Sequence, residues 1–358
     1  MRIAQVSPLH ESVPPKLYGG TERVVSYLTE ELVRQGHDVT LFASGDSTTS
    51  ARLVPCCETA LRLSANCPDP CLPHVLMMEE VFARADQFDI IHFHTEYVHY
   101  PLARRHHVPT ITTMHGRLDL PYIKSLFQSY PDMAVVSISD AQRAPVSWAN
   151  WTRTIHHGLP EDLHAFQQSP QDYLVFTGRI APEKRPDWAI EIARRTGIEL
   201  RIAAKVSDPD RPYFEREIQP LLEGEGVTFL GEVNEQQKSA LLGGARAMLF
   251  PIDWPEPFGL VMIEAMACGT PTIACNRGSV PEIIEDGVSG FVVQDIDQAV
   301  NAVHRIGEID RRRCRERFEA RFTAKRMAAE YLESYRQRAR GLFDRSDAEI
   351  VGASHGSD

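Results

Sequence analysis

The sequence predicts an α/β protein made of two Rossmann-like, doubly wound domains. Strand-like and helix-like segments alternate along the chain, which is typical of a parallel sheet covered by helices. The alternation starts again after a polar, linker-like stretch at about residues 161–172. The chain has 358 residues, of which 43% are hydrophobic, so each half is long enough to bury a core of its own.

The first half opens with a β–loop–α–β unit. Residues 2–7 predict a strand, and Thr21 is a candidate N-cap for a helix with apolar residues at helical spacing. Gly36 follows that helix, at a position where a left-handed backbone is common, and residues 39–43 predict the next strand. Further strands are predicted at residues 90–94, 110–114, 134–138 and 154–155.

The second half repeats the alternation. Strands are predicted at residues 173–176, 200–204, 227–230, 247–250 and 272–274. Helices are predicted at residues 186–196, 213–223, 238–243 and 259–267. We therefore expect a first domain over residues 1–165, a second over 166–325, a terminal helix at about 326–342 and a disordered polar tail at 346–358.

Charge and hydropathy limit the class of protein. The formal net charge is −11, which argues against a nucleic-acid-binding surface, because phosphate backbones require a basic one. Neither a signal-peptide pattern nor an apolar run of roughly 18 residues is visible in the sequence. We expect a cytoplasmic protein that binds a phosphorylated small molecule through a few local cations.

Seven cysteines are present, and four of them lie close together in the sequence. Their spacing differs from the paired knuckles of structural zinc sites, and a cytoplasmic location disfavours disulfides. Ordinary thiols are the favoured interpretation, with a metal or disulfide role left open. The four residues are Cys56, Cys57, Cys67 and Cys71.

The densest group of candidate site residues follows a predicted strand of the second domain. Glu256 lies in a proline-flanked loop, and Glu264 lies in the helix that comes next. The start of that helix, at Phe258, Gly259 and Leu260, presents backbone N–H groups that favour an anionic phosphate. Two carboxylates on either side of a phosphate site suit two sets of hydroxyl groups, although each could instead be an ordinary surface charge.

A second group follows the first strand of the second domain. Gly178 and Arg179 end the strand, and Lys184 comes five residues after the arginine. An arginine can clamp phosphate oxygens in a bidentate manner, while a lysine adds a mobile point charge. Two such cations would stabilise a departing diphosphate.

These two segments resemble the retaining glycosyltransferases of family 4, which have the GT-B fold: two Rossmann-like domains that face each other across a cleft. The resemblance implies that Glu256 contacts the hydroxyls of the donor sugar and that Glu264 contacts the ribose of the nucleotide. It also implies that Arg179 and Lys184 bind the donor diphosphate. The sequence departs from the family at Arg185, where a glycine is common.

The resemblance extends to other strand ends. Gly231 and Val233 match positions where the family holds the base through backbone atoms, and Gly19 and Gly20 match a loop that approaches the donor phosphate and the acceptor. His115 matches the residue that hydrogen-bonds the donor sugar near the reacting centre. His94, Ser139 and His157 match positions that line the cleft. In this fold the terminal helix packs back onto the first domain.

No metal site is predicted. Asp208 and Asp210 form an Asp-x-Asp sequence, but they lie in a proline-containing turn, where aspartate is common for local reasons. The three histidines His92, His94 and His115 could also suggest zinc, but His92 and His94 leave no evident third ligand at a fixed spacing. We therefore expect metal-independent chemistry without a bound cofactor.

The predicted function is transfer of a hexose, expected to be glucose, from UDP-glucose to a hydroxyl of a small acceptor. Residues 18–23 and 253–259 are similar to a bacterial subgroup that includes UDP-glucose:tetrahydrobiopterin glucosyltransferases. Two alternatives stay open: a disaccharide synthase or phosphorylase of the same fold, and a non-catalytic nucleotide-sugar-binding protein.

Overall fold

The computed structural model describes residues 1–16, 19–62, 67 and 69–353, with only the backbone described for residues 340–353. The chain divides into two compact units. Unit 1 contains residues 1–138, 143–156 and the chain from 324 onward, whereas unit 2 contains residues 139–142 and 157–323. Each unit is an α/β structure around one parallel sheet, which confirms the predicted fold class.

The sheet of unit 1 has the strand order β3-β2-β1-β4-β5-β6-β7, with every neighbouring pair parallel. The order reverses between β1 and β4, and in open α/β sheets ligands bind beyond the carboxyl ends of strands at such a point. The strands are β1 (Arg2–Val6), β2 (Asp38–Ser44), β3 (Arg52–Cys57), β4 (Ile90–Phe93), β5 (Thr110–Thr113), β6 (Val135–Ser137) and β7 (Trp151–Thr154).

The sheet of unit 2 has the order β10-β9-β8-β11-β12-β13 and is also parallel. Its reversal point lies between β8 and β11, so the loops after these two strands start side by side. The strands are β8 (Tyr173–Arg179), β9 (Glu199–Lys205), β10 (Val227–Gly231), β11 (Ala247–Phe250), β12 (Thr272–Cys275) and β13 (Gly290–Val293).

Helices α1 to α10 lie between strands, where they form most of the crossovers that parallel neighbours require, and α11, α12 and α13 follow the last strand. They are α1 (Gly20–Arg34), α2 (Cys71–Phe82), α3 (Tyr100–Ala103), α4 (Ile123–Ser129), α5 (Asp140–Arg143), α6 (Pro186–Thr196), α7 (Arg211–Tyr213), α8 (Glu235–Gly244), α9 (Leu260–Ala267), α10 (Val280–Ile283), α11 (Ile296–Arg305), α12 (Arg311–Arg321) and α13 (Ala324–Ala353). Within the described residues, no helix is both long enough and apolar enough to cross a bilayer.

Three local predictions differ from the structure. Helix α1 begins at Gly20 with Gly19 at the N-cap, so Thr21 lies inside its first turn instead of at the N-cap. The strand expected at residues 154–155 is β7, which ends at Thr154. The helix expected at residues 213–223 is broken into a π turn and a 3-10 turn, because Pro220 lacks the amide hydrogen that a continuous α-helix would use.

Helix α13 belongs to unit 1 and packs against α1, β4 and β5. Tyr331 and Tyr335 are its largest fully buried side chains, and both make hydrogen bonds beneath the sheet's carboxyl edge. The helix continues to Ala353 and so enters the segment for which the sequence predicts a disordered tail. Residues 354–358 of that segment lie outside the described residues.

Candidate active site

In unit 2, Glu256 lies in the loop after β11 and is only 8% exposed. Its carboxylate accepts a hydrogen bond from the indole Nε1 of Trp254 at 2.9 Å and forms an ion pair with Lys184. The Lys184 ammonium also lies 4.5 Å from the centre of the Trp254 ring. Loop residues after β8 and β11 therefore come together at the reversal point of the sheet, which places a buried carboxylate beside a half-buried cation.

The backbone of this loop is held by residues that sequence reasoning did not identify. A Cβ on Gly278 would lie 2.4 Å from the backbone nitrogen and oxygen of Glu256, so only glycine fits there. Ser279 donates from its backbone N–H to the Glu256 carbonyl at 3.0 Å and from its hydroxyl to the Phe258 carbonyl at 2.9 Å. The available signal was a Gly-Ser pair shortly after β12, the strand next to β11.

Ser139, one of the predicted cleft residues, also supports this loop. Its hydroxyl donates to the carbonyl of Pro257 at 2.7 Å and accepts from the backbone N–H of Gln142. His157, another predicted cleft residue, is buried, and its ring centre lies 4.8 Å from that of Phe258. Both side chains lie directly beneath the segment that carries Glu256.

Gly259 is the N-cap of α9 and has a left-handed backbone with φ of +79°. A Cβ at this position would lie 2.8 Å from the Cε of Met262 and 3.2 Å from the Phe250 ring. The first turn of α9, starting at Leu260, directs backbone N–H groups and the positive end of the helix dipole toward the start of the helix. The Phe258 side chain is buried, so its predicted donor contact would have to come from the backbone.

Arg179 ends β8 and is held by two carboxylates. Its guanidinium lies 2.5 Å from Glu183 and 3.0 Å from Asp210. Gly178 precedes it with φ of +153°, and open space surrounds the position of the missing Cβ. Asp210 therefore pairs with Arg179, whereas the side chain of Asp208 is 95% exposed, so the two members of the Asp-x-Asp sequence have different surroundings.

The structure explains the departure at Arg185. This residue has φ of +51°, in the left-handed region where glycine is favoured over other residues. The guanidinium is anchored 2.7 Å from the Asp187 carboxylate, and its carbon lies 4.2 Å from the centre of the Trp188 ring. These contacts stabilise a conformation that glycine would adopt at lower cost.

Glu264 lies on α9, is 4% exposed and pairs with the Lys238 ammonium of α8 at 2.6 Å. The same ammonium lies 3.1 Å from Glu235, and the Glu235 carboxylate is 3.5 Å from Nε2 of His164. His164, Glu235 and Glu264 have ligand atoms within 4.8 Å of one another, a spacing that could hold a metal ion. The Lys238 ammonium already pairs with both carboxylates, however, and so competes with any cation at this position.

If Glu264 contacts the ribose of a UDP-sugar, as the family resemblance implies, replacing it with glutamine should weaken binding of UDP and of UDP-sugars by the same factor, about 10- to 100-fold. Charge-assisted hydrogen bonds to ribose hydroxyls are each worth about 1.5–3 kcal/mol. Calorimetric titration would measure this, and the variant should no longer distinguish UDP from 2′,3′-dideoxy-UDP. Glu235→Gln is the matched control, since it removes the other carboxylate from Lys238. An equal loss of affinity in that control would contradict the ribose assignment.

The residues predicted to hold the base lie at the end of β10. Gly231 has φ of +69° with open space around its missing Cβ, and Val233 is half-buried in the loop that follows. Lys205 ends the neighbouring strand β9, where it pairs in register with Arg179 and lies 3.7 Å from Glu232. The carboxyl ends of β8, β9 and β10 thus carry two cations and a glycine-containing turn along one edge.

In unit 1, His94 and His115 follow β4 and β5 and are joined by a hydrogen bond of 2.9 Å between Nδ1 of His94 and Nε2 of His115. His94 is 1% exposed, and its Nε2 donates to the side-chain oxygen of Gln5 at 2.8 Å. Burial lowers the pKa of His115 to about 3, so this ring is neutral at physiological pH. Gly19, by contrast, packs close to Pro15, which a Cβ on the glycine would approach to 2.8 Å.

Glu96 fixes the backbone at His115. One oxygen of its carboxyl accepts from the backbone N–H groups of His115 and Gly116, both at 3.0 Å. Its own φ is +54°, and burial raises the pKa of this carboxyl to about 7 against the opposing effect of the two hydrogen bonds. Sequence reasoning missed Glu96; the available signal was a carboxylate two residues beyond the His94 strand end.

Because the pKa of Glu96 is higher in the folded than in the unfolded chain, the folded state binds the proton more tightly. Protonation of Glu96 should therefore stabilise the folded state fully below about pH 4.5. Raising the pH through 7 should remove this effect and lower the free energy of unfolding by about 1–3 kcal/mol. Denaturant unfolding at pH 5 and pH 8 would measure this. Glu96→Gln should flatten the profile, whereas Glu58→Gln, at an exposed carboxylate of the same unit, should leave it unchanged; equal profiles for both variants would contradict the assignment. Burial also raises the pKa of Glu22 to about 7, so part of the slope should persist in Glu96→Gln.

Both halves of the chain match family models of glycosyltransferases. Residues 18–176 match the model of Glycosyltransferase Family 4, and residues 162–321 match the model of Glycosyl transferases group 1. The chain belongs to the glycosyltransferases. These matches do not show the predicted similarity to the subgroup of tetrahydrobiopterin glucosyltransferases.

The glycosyltransferase is similar to two proteins named D-inositol 3-phosphate glycosyltransferase. The protein from Streptomyces scabiei is 26% identical, over 84% of this chain and 81% of that protein. The protein from Mycolicibacterium smegmatis is 34% identical, over 39% of this chain and only 31% of its own length.

Solved structures show the same fold. Sucrose-phosphate synthase from Thermosynechococcus elongatus superposes with a TM-score of 0.80 at 21% identity, covering 94% of this chain and 98% of that one. The HepE protein of Anabaena, solved in complex with UDP-glucose, superposes with a TM-score of 0.70 at 16% identity, covering 94% and 100%. At these identities the glycosyltransferase shares their GT-B architecture, and the likeness extends no further than the fold.

Proposed function

We propose that the glycosyltransferase is a retaining hexosyltransferase that moves glucose from UDP-glucose to a hydroxyl group of a small acceptor. The observation that carries this proposal is the Glu256 site in unit 2. There a buried carboxylate, held by Trp254 and Lys184, lies between the end of β11 and the start of α9. A carboxylate in that position suits the hydroxyls of a sugar whose phosphates lie at the helix start.

In the proposed reaction, the bond between C1 of the sugar and the diphosphate oxygen breaks, and a bond from C1 to the acceptor oxygen forms on the same face. The acceptor's proton passes to an oxygen of the departing diphosphate, so UDP leaves with that proton. Lys184, Arg179 and the first turn of α9 would stabilise the negative charge on the diphosphate. Since these groups supply positive charge themselves, we propose that the reaction needs no metal ion.

The relatives support the choice of substrates. HepE has been solved with UDP-glucose, which favours this donor, and the names of the other relatives indicate phosphorylated polyols and sugars as acceptors. The similarity of residues 18–23 and 253–259 to tetrahydrobiopterin glucosyltransferases adds a pterin side-chain hydroxyl to the candidates. An acceptor screen should therefore include inositol 3-phosphate, fructose 6-phosphate and tetrahydrobiopterin.

Thermal unfolding with UDP, GDP, ADP and their glucose conjugates, each with and without EDTA, would test the donor. We expect stabilisation by UDP and UDP-glucose that persists in EDTA, because a ligand that binds only the folded state raises the melting temperature. Loss of the shift in EDTA would contradict metal independence. No shift with any nucleotide would contradict the donor site, and a shift without turnover in the acceptor screen would favour a non-catalytic binding protein.

The sucrose-phosphate synthase likeness supports a second candidate, a disaccharide synthase or phosphorylase. Release of a sugar phosphate from a disaccharide by inorganic phosphate would identify a phosphorylase. Formation of a disaccharide phosphate from fructose 6-phosphate would identify a synthase.

A further inference from the structure

A continuous chain of hydrogen bonds crosses the interior of unit 1, from helix α13 to His115. Every member except His115 is buried. The contacts, in order, join Tyr331 to Thr113 (2.8 Å), Thr113 to Nε2 of His92 (2.7 Å), Nδ1 of His92 to Tyr335 (2.7 Å), Tyr335 to Nε2 of Gln5 (3.0 Å), Oε1 of Gln5 to Nε2 of His94 (2.8 Å) and Nδ1 of His94 to Nε2 of His115 (2.9 Å).

Gln5, at the centre of this chain, determines which atoms carry the protons. An amide donates only from its nitrogen and accepts only at its oxygen, whereas a hydroxyl or a neutral imidazole can do both. The Gln5 nitrogen faces the Tyr335 hydroxyl, and the Gln5 oxygen faces Nε2 of His94. Nε2 of His94 must therefore carry its proton.

The tautomers of both histidines follow from that constraint when His94, like His115, carries a single proton. A neutral His94 with its proton on Nε2 has only a lone pair at Nδ1, so it accepts from Nε2–H of His115. His115 then has its lone pair at Nδ1. Burial keeps the His115 ring neutral by lowering its pKa to about 3, which leaves it a single proton to place.

On the other side of Gln5, the contacts allow two proton orders, because a hydroxyl can donate one hydrogen bond and accept two. Tyr335 accepts from the Gln5 amide and can either donate to Nδ1 of His92 or accept from it. Thr113 can correspondingly accept from Nε2 of His92 or donate to it, with Tyr331 as its other partner. Gln5 therefore sets the tautomers of His94 and His115 but not that of His92.

We propose that Gln5 is a positioning residue for glycosyl transfer: it holds His115 in the tautomer with the lone pair on Nδ1, so that His115 accepts a hydrogen bond from a hydroxyl of the donor sugar. This rests on the proposed function, and on the family resemblance for the contact between His115 and the donor sugar. The carboxyl end of β1 would then take part in donor recognition through His94, without touching the donor.

Nitrogen-15 NMR of histidine-labelled protein tests the tautomers without any substrate. In the wild-type protein, we expect His115 to be protonated at Nε2 only. Gln5→Leu should abolish that preference, because the acceptor for His94 is gone. Gln5→Glu should restore it, since a carboxyl oxygen still accepts from His94.

Kinetics with UDP-glucose provide the second readout. Gln5→Leu should lower kcat about 10- to 100-fold while the Kd of UDP, which lacks the sugar, stays within twofold of wild type; Gln5→Glu should recover most of kcat. Tyr331→Phe is the matched control: it removes one hydroxyl at the far end of the chain and should leave the tautomers and kcat unchanged.

Two results would overturn the inference: wild-type His115 protonated at Nδ1, or Gln5→Glu as impaired in kcat as Gln5→Leu. Circular dichroism and thermal melts establish that each variant is folded. If NMR shows the expected tautomers but the protein does not bind UDP-glucose, the proposed donor is contradicted and the proton order from Gln5 to His115 is still supported.

Discussion

Replacing Glu256 with glutamine is expected to lower kcat/KM about 100- to 1,000-fold in a protein that stays folded. The carboxylate is buried beside Trp254 and Lys184, where a charged acceptor binds sugar hydroxyls much more strongly than a neutral amide does. Loss of charge at two such hydrogen bonds, each worth about 1.5–3 kcal/mol, accounts for this range. Initial rates of UDP release with UDP-glucose and the acceptor found by screening would measure it.

The matched control for this experiment is Glu285→Gln, which removes a half-exposed carboxylate of the same unit that pairs with Arg317. The control should keep wild-type turnover and a similar melting temperature. Turnover within threefold of wild type in Glu256→Gln would show that this carboxylate does not contact the reacting sugar. Glu256→Ala should be at least as impaired, because it also removes the partner of Lys184.

Replacing Lys184 with methionine should raise the Kd of UDP about 10- to 100-fold and leave the Kd of UMP nearly unchanged. The methionine side chain is of similar length and uncharged, so it keeps the contact with Trp254 and removes the cation proposed to bind the diphosphate. Titration calorimetry with UMP, UDP and UDP-glucose would measure this. Arg185→Gly is the control, since it removes the adjacent cation from a left-handed position that glycine tolerates.

A double-mutant cycle separates the two roles of Lys184. If the ammonium only orients Glu256, the double variant with Glu256→Gln will be no worse than Glu256→Gln alone. If the ammonium also binds the diphosphate, the double variant will lose further affinity for UDP. Equal loss of UMP and UDP binding in Lys184→Met would contradict the diphosphate assignment.

The positions of the site residues in unit 2 could be predicted because the sheet is parallel. The carboxyl ends of parallel strands lie at one edge, so an Arg at the end of β8 and a Glu after β11 must lie at the same edge, whatever contacts they make. The helix start at Gly259 could be predicted for a similar reason, since glycine next to an apolar helical pattern marks a boundary. Both signals are local in sequence.

The pairing within the site could not be predicted in that way. Lys184 and Glu256 are 72 residues apart and meet only because β8 is the neighbour of β11. Gly278 contacts the Glu256 backbone through the close packing of two loops, which no periodicity reveals. The chain of hydrogen bonds from Tyr331 to His115 likewise joins three strands and α13, and single polar residues inside apolar strands give no indication of their partners.

The broken helix at residues 213–223 has a different cause. Its apolar spacing suits a helix, yet one proline removes a backbone donor, and the chain changes to π and 3-10 turns around it. The edge strand β3 carries Pro55 and two cysteines, a composition that gives only a weak strand signal.

An anion that binds Arg179 and Lys184 in unit 2 would have to replace carboxylates that already pair with these two cations. Glu183 and Asp210 already neutralise the arginine, and Glu256 neutralises the lysine. Inorganic phosphate would have to displace these partners without gaining any contact through a sugar or a ribose, so it should be a poor competitor. A nucleotide sugar would add both sets of contacts, so the sugar and the ribose, rather than the phosphates alone, would distinguish the donor from simple anions.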